Sequence, residues 1–181
     1  MSLELKTVAI LAGAALAAAS LPCVAAPAPA LEWIRRFPRR RLPAWILTAI
    51  ALLWSAWLLF VMPMERFDNL KPLLYVLTPL AFGLIIRYVD DLLAARALGG
   101  VLALAPAPML DAARWHPSGW RFVVVILAYV MAVAGMALIL SPYHFRKFMS
   151  RSAPSPEGCR LMGSAGIVLG AGLMMLGWLV Y

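Results

Sequence analysis

Residues 42–62 read LPAWILTAIALLWSAWLLFVM, twenty-one positions without a single charge. As an α-helix such a run reaches about 32 Å, enough to cross a bilayer core of roughly 30 Å. It follows the basic group Arg39-Arg40-Arg41 and stops at Pro63. A segment this long and apolar decides the class, because a surface helix of a soluble domain keeps a polar face, and a charge-free run of this length reads as a membrane span.

Outward from it the same reading recurs. Candidate spans lie at 7–26, 70–87, 92–110, 122–140 and 161–181, with 42–62 making six. The whole chain of 181 residues is 64% hydrophobic and 13% charged, with a mean hydropathy of +0.88. Soluble domains are nearer half apolar and a quarter charged, so a single all-α membrane domain over 1–181 is expected. Too little polar chain remains between the spans for a soluble catalytic domain.

The formal net charge of +8 does not point to nucleic acid. Basic residues fall in short clusters between apolar runs, the pattern that orients membrane proteins. With six crossings, the loops between spans one and two, three and four, and five and six carry eleven of the sixteen basic residues, among them Arg35, Arg36 and Arg39–Arg41. The other side carries five: Lys6, Arg66, Lys71, Arg114 and Arg121. Excess Lys and Arg marks the cytoplasmic side, so both termini are expected outside. Thirteen of the basic residues are Arg, in a chain rich in Ala, Gly and Pro. That composition suits a GC-rich bacterial genome and hence a bacterial inner membrane.

The first segment also has the outline of a secretory signal, with Ala28-Pro29-Ala30 as a cleavage site before Leu31. Cleavage there would leave the basic run 35–41 outside, against the charge bias. An uncleaved first helix fits the charges better.

The fourth segment is the weak one. Its apolar part, 97–110, reaches only about 21 Å as helix, and Pro106 and Pro108 are expected to break it. A short helix ending in a loop, or a broken helix along a solute path, both suit that pattern. Just before it stand Arg87, Asp90, Asp91 and Arg96, a candidate polar or transport cluster, since ionisable groups near the membrane are functional candidates. The stretch 91–96 shares its Asp and its Ala-Arg with the signature of membrane CDP-alcohol phosphotransferases. Leu92 stands at that signature's glycine and Tyr88 at its earlier aspartate, and no later D-x-x-x-D pair follows. The chain is not read as one of those enzymes.

No catalytic, cofactor-binding or metal-binding set emerges. His116 and His144 flank the fifth span and fall at opposite faces. Cys23 and Cys159 stand alone in the sequence and read as two unpaired thiols. Trp45, Trp115, Trp120, Tyr143, Trp178 and Tyr181 lie near span ends, where amphipathic rings anchor to headgroups.

The most specific packing signal is in the last span. Gly163, Gly166, Gly170 and Gly177 share one helical face and include a GxxxG, which lets a second helix approach to backbone contact. Gly13, Ala14, Ala17 and Ala18 give the first span a matching smooth face. The function expected is a non-enzymatic accessory or structural subunit, without cofactor. Its partners would be the lipid bilayer and other membrane subunits or a second copy. The alternative is a small-solute or ion transporter or channel using the charged cluster and the Pro-containing fourth segment.

Overall fold

The computed structural model describes residues 4–37, 40–61, 71–88, 93–141, 147 and 155–181. Among them the chain is helical and has no strand. The helices are α1 (Leu5–Ala25), α2 (Pro27–Arg36), α3 (Arg41–Val61), α4 (Leu73–Tyr88), α5 (Leu93–Leu104), α6 (Pro106–Arg114), α7 (Arg121–Leu140) and α8 (Pro156–Leu179). Five are long and apolar enough to cross a membrane: α1, α3, the continuous Leu93–Arg114 segment, α7 and α8. The described residues thus form an all-helical fold with several helices suited to span a membrane. At sixteen residues α4 is shorter, about 24 Å.

Contacts along the helices fix their directions. Gly13 of α1 meets Gly170 of α8, while the earlier Lys6 and Ile10 meet the later Gly177; α1 and α8 are antiparallel. Ala44 clusters with Leu93 and Ala94, and Ala51 lies beside Gly100, so α3 and α5 run the same way. Between them α4 runs back along α3, with Tyr75 against Phe60 at one end and Ile85 beside the Ala44 cluster at the other. In turn α7 reverses α5 and α6: Gly135 opposes Gly99 and Ala103, and Val124 and Ala128 pack with Met109 and Ala113. One end of the bundle therefore gathers Lys6, Lys71, Arg114, Arg121 and Tyr181. The other gathers α2, Arg41, Arg87, Arg96 and Arg160.

The fourth segment differs most from its expectation. It neither stops short nor opens at its prolines. Ala105 keeps helical angles (φ −58°, ψ −33°) and its N–H donates to the Val101 carbonyl at 3.0 Å. Pro106 stands at the start of α6, where a proline's missing donor and fixed φ are tolerated. The 22-residue segment reaches about 33 Å. It is also the most enclosed of the five long helices, with Ala94 and Ala95 fully buried and Leu93, Ala97, Gly99, Met109 and Ala113 inside. A helix with helices on several sides needs small residues for close approach rather than large lipid-facing ones. Its weak hydropathy follows from its central place.

The remaining differences are at helix ends. The last helix begins at Pro156, five residues before the expected span, because Ser155 caps it: its Oγ accepts from the Gly158 N–H at 3.2 Å. Residues 27–36 form a separate helix after a turn at Ala26 (φ −144°, ψ 73°). The face of α2 bearing Ala30 and Leu31 packs on Cys159, while Arg35 and Arg36 are exposed. The Ala30–Leu31 bond thus lies inside a packed helix.

Candidate functional site

Close helix contact dominates the α1–α8 interface. Cβ atoms built on Gly13 and Gly170 would each fall against the other residue's carbonyl oxygen, at 2.5 and 2.6 Å. One on Gly163 would sit 2.7 Å from Cys23 Cβ, one on Gly166 would overlap the Ser20 hydroxyl, and one on Gly177 would sit 2.8 Å from Ile10 Cγ1. All four glycines of the stripe therefore face α1, and their surface is filled within the chain. Ser20 itself is satisfied, donating to the Leu16 carbonyl at 2.8 Å.

The candidate polar cluster is described in part. Arg87 lies exposed in the last turn of α4, and Arg96 exposed in the first turns of α5, at the same end of the bundle. Asp90 and Asp91 lie outside the described residues, as do His144 and Tyr143. Deeper in the spans, the hydroxyls of Thr48 and Ser55 donate to the carbonyls of Ala44 and Leu52 on their own helix. Among the described residues no buried side-chain polar atom lacks a partner.

At the end holding the termini, Tyr181 Oη donates to the Trp120 carbonyl at 2.6 Å, and its ring meets His116 edge-on at 5.2 Å between centroids. Arg121 Nη1 donates to the carbonyl of His116 at 2.9 Å, and His116 Nδ1 accepts the Ser118 N–H at 3.2 Å. Lys6 Nζ lies 5.3 Å from the Trp178 ring centroid. These contacts tie the α6–α7 loop to the ends of α1 and α8. They make a structural corner.

Two features were not anticipated from sequence. Cys23 and Cys159, 136 positions apart, come into one packed cluster across the α1–α8 interface, one turn from the Gly163 contact. Nothing in their local sequence signals the pairing; only the antiparallel match of the two small-residue faces could have shown it. The second feature is the α3–α4 edge. None of the sixteen residues of α4 is buried, and α3 buries only Ala44 and Thr48. Between them lies an apolar cleft of about 420 Å³ lined by Leu53, Ala56, Trp57, Phe60, Leu74, Tyr75, Thr78 and Pro79. A second opening, lined by Ala49, Leu52 and Phe82 as well, continues it along the pair.

Comparison of the chain with protein-family models, with curated proteins and with solved structures gave no match in any of the three.

Proposed function

We propose that this chain is a six-pass accessory subunit of a bacterial inner-membrane assembly, docking through its α3–α4 edge. The observation that carries the reading is α4 itself, an apolar helix that buries no residue within its own chain. Helices in lipid are held by close packing and interhelical hydrogen bonds rather than by hydrophobic drive. Among the described residues α4 packs mainly on α3, across an open cleft, and is short of such contacts; another subunit's helix would supply them. The glycine stripe, in contrast, is already used by α1.

The helix directions support a count of six crossings. The termini share one end of the bundle, so the number of crossings is even, and α4 is the return between the parallel α3 and α5. Its shortfall against a core of roughly 30 Å is of the size that snorkelling residues or local thinning of the bilayer accommodate. The end with α2, Arg41, Arg87, Arg96 and Arg160 carries the basic excess and is assigned to the cytoplasm. The termini then lie outside. The fit of α1 against α8 supports retention of α1 in the mature protein.

Co-purification in mild detergent tests this reading. The chain is expected to bring specific membrane subunits with it, and Ala56→Trp, which fills the cleft, to release them while leaving the protein folded. A monodisperse lone chain, with solute flux in liposomes that Arg87→Ala and Arg96→Ala abolish, would overturn it in favour of transport.

A further inference from the structure

The geometry points to a two-thiolate site for a soft monovalent cation of the Cu(I) class, formed by Cys23 of α1 and Cys159 of α8. Cys23 packs against the cluster that holds Cys159, beside Gly163 one turn further along α8, and Cys159 is 1% exposed while Cys23 is half-buried. The pair is therefore shielded yet open to a small ion on the Cys23 side. The cover is apolar: Ala30, Leu31 and Ile34 of α2 close over it. Gly163 sets the helix spacing beside it, since even a methyl group there would strike Cys23 Cβ.

The donor set selects the ion. Thiolate sulfur favours Cu(I) and other soft cations over hard ones. Structural zinc takes four ligands, and no group of three or more His, Cys, Asp or Glu suited to a metal occurs among the described residues. Two neighbouring thiolates supply the two-sulfur set that digonal coordination of a d10 monovalent ion takes. Binding exchanges two S–H bonds for two S–Cu bonds and releases two protons to water, with copper remaining at +1. The resulting unit carries one negative charge. The helices around it bear Arg35, Arg36 and Arg160 against Glu32 and Glu157, a net positive setting. This inference depends neither on the topology nor on the accessory role proposed above.

The test uses the full chain in detergent, anaerobic and with a thiol-free reductant, titrated with Cu(I) held by a chromogenic chelator. One equivalent of Cu(I) is expected to leave the chelator, and X-ray absorption of the bound copper should show two sulfur neighbours. Cys23→Ser and Cys159→Ser should each weaken binding beyond the roughly 10–100-fold that loss of a merely supporting residue produces. Should either variant fold poorly, the absorption spectrum of the unaltered protein still decides. Copper that stays with the chelator, or that binds through nitrogen and oxygen, overturns the inference. So does copper bound equally by the double variant. Finding the cysteines of the purified protein already joined as a disulfide would overturn it as well.

Discussion

Gly13 and Gly170 hold α1 and α8 at backbone contact, each standing where the other's carbonyl oxygen leaves no room for a Cβ. The relation is reciprocal, so neither residue can be enlarged unless the helices part. Gly13→Ala and Gly170→Ala are each expected to lower stability by about 1–3 kcal/mol, the usual range for overpacking. Gly172, with nothing within 4 Å of an added Cβ, supplies the control: Gly172→Ala should not lower stability, and helix propensity favours the alanine by up to about 1 kcal/mol. Thermal unfolding in one detergent compares the three. Equal effects at Gly13 and Gly172 would show that the contact does not hold the helices together.

The central segment makes a second case. An added Cβ on Gly135 of α7 would lie 2.6 Å from the Ala103 nitrogen, and one on Gly99 would lie 2.8 Å from the Gly135 oxygen. At Gly100 the nearest atom is Ala51 Cβ at 3.4 Å, an ordinary contact. Gly99→Ala and Gly135→Ala should therefore destabilise by about 1–3 kcal/mol, and Gly100→Ala by much less. Pro108→Ala should be tolerated, because the helix already continues through this stretch and alanine restores a backbone donor. Denaturation in mixed micelles measures all four. A large loss from Pro108→Ala alone would mean that the proline shapes the segment in a way its helical geometry does not explain.

The corner at Tyr181 gives a pH signature. Burial pushes the Tyr181 phenol up from its ordinary value, so folding favours the protonated ring. That contribution is complete below the unfolded value of about 10 and is lost as pH rises through the higher folded value. Stability should therefore fall in alkaline solution, above about pH 10, as the Tyr181–Trp120 hydrogen bond loses its donor. Tyr181→Phe should remove this dependence and lower stability at neutral pH by about 0.5–1.5 kcal/mol at most. Unfolding followed from pH 7 to 11 tests it. An unchanged alkaline limb in Tyr181→Phe would assign the loss to another group.

How much of this was legible in the residues varies with the physics involved. Uncharged runs such as 42–62 announce themselves, because lipid demands a long apolar helix. The glycine stripe was visible as a face, since helical periodicity fixes which residues align. Its register on the first helix needed the structure, which sets Gly170 on Gly13 and Gly166 on Ser20. The fourth segment was misjudged for a physical reason: hydropathy measures fitness for lipid, and Ala94, Ala95 and Gly99 face protein. Proline-based break rules also misled there, because Pro106 can begin a helical turn that continues the one before it. The Cys23–Cys159 pair was illegible, as two distant thiols carry no mutual signal until α1 and α8 are laid side by side.

Sidedness is the last expectation, and it can be measured independently of any partner. The helix directions put Gly119 and Lys71 at one end of the bundle, Arg35 and Arg160 at the other. In a background with Cys23→Ser and Cys159→Ser, single cysteines at these four positions should divide two and two toward a membrane-impermeant thiol reagent applied to whole cells with a permeable outer membrane. Gly119→Cys and Lys71→Cys should react from outside; Arg35→Cys and Arg160→Cys should react only after the inner membrane is opened. The Lys71 position is the sensitive one, because it lies between α3 and α4. If α4 did not cross, α3 and α5 could not run parallel with both starts at the basic end. Labelling of Lys71→Cys from the same side as Arg35→Cys would therefore remove the six-pass arrangement.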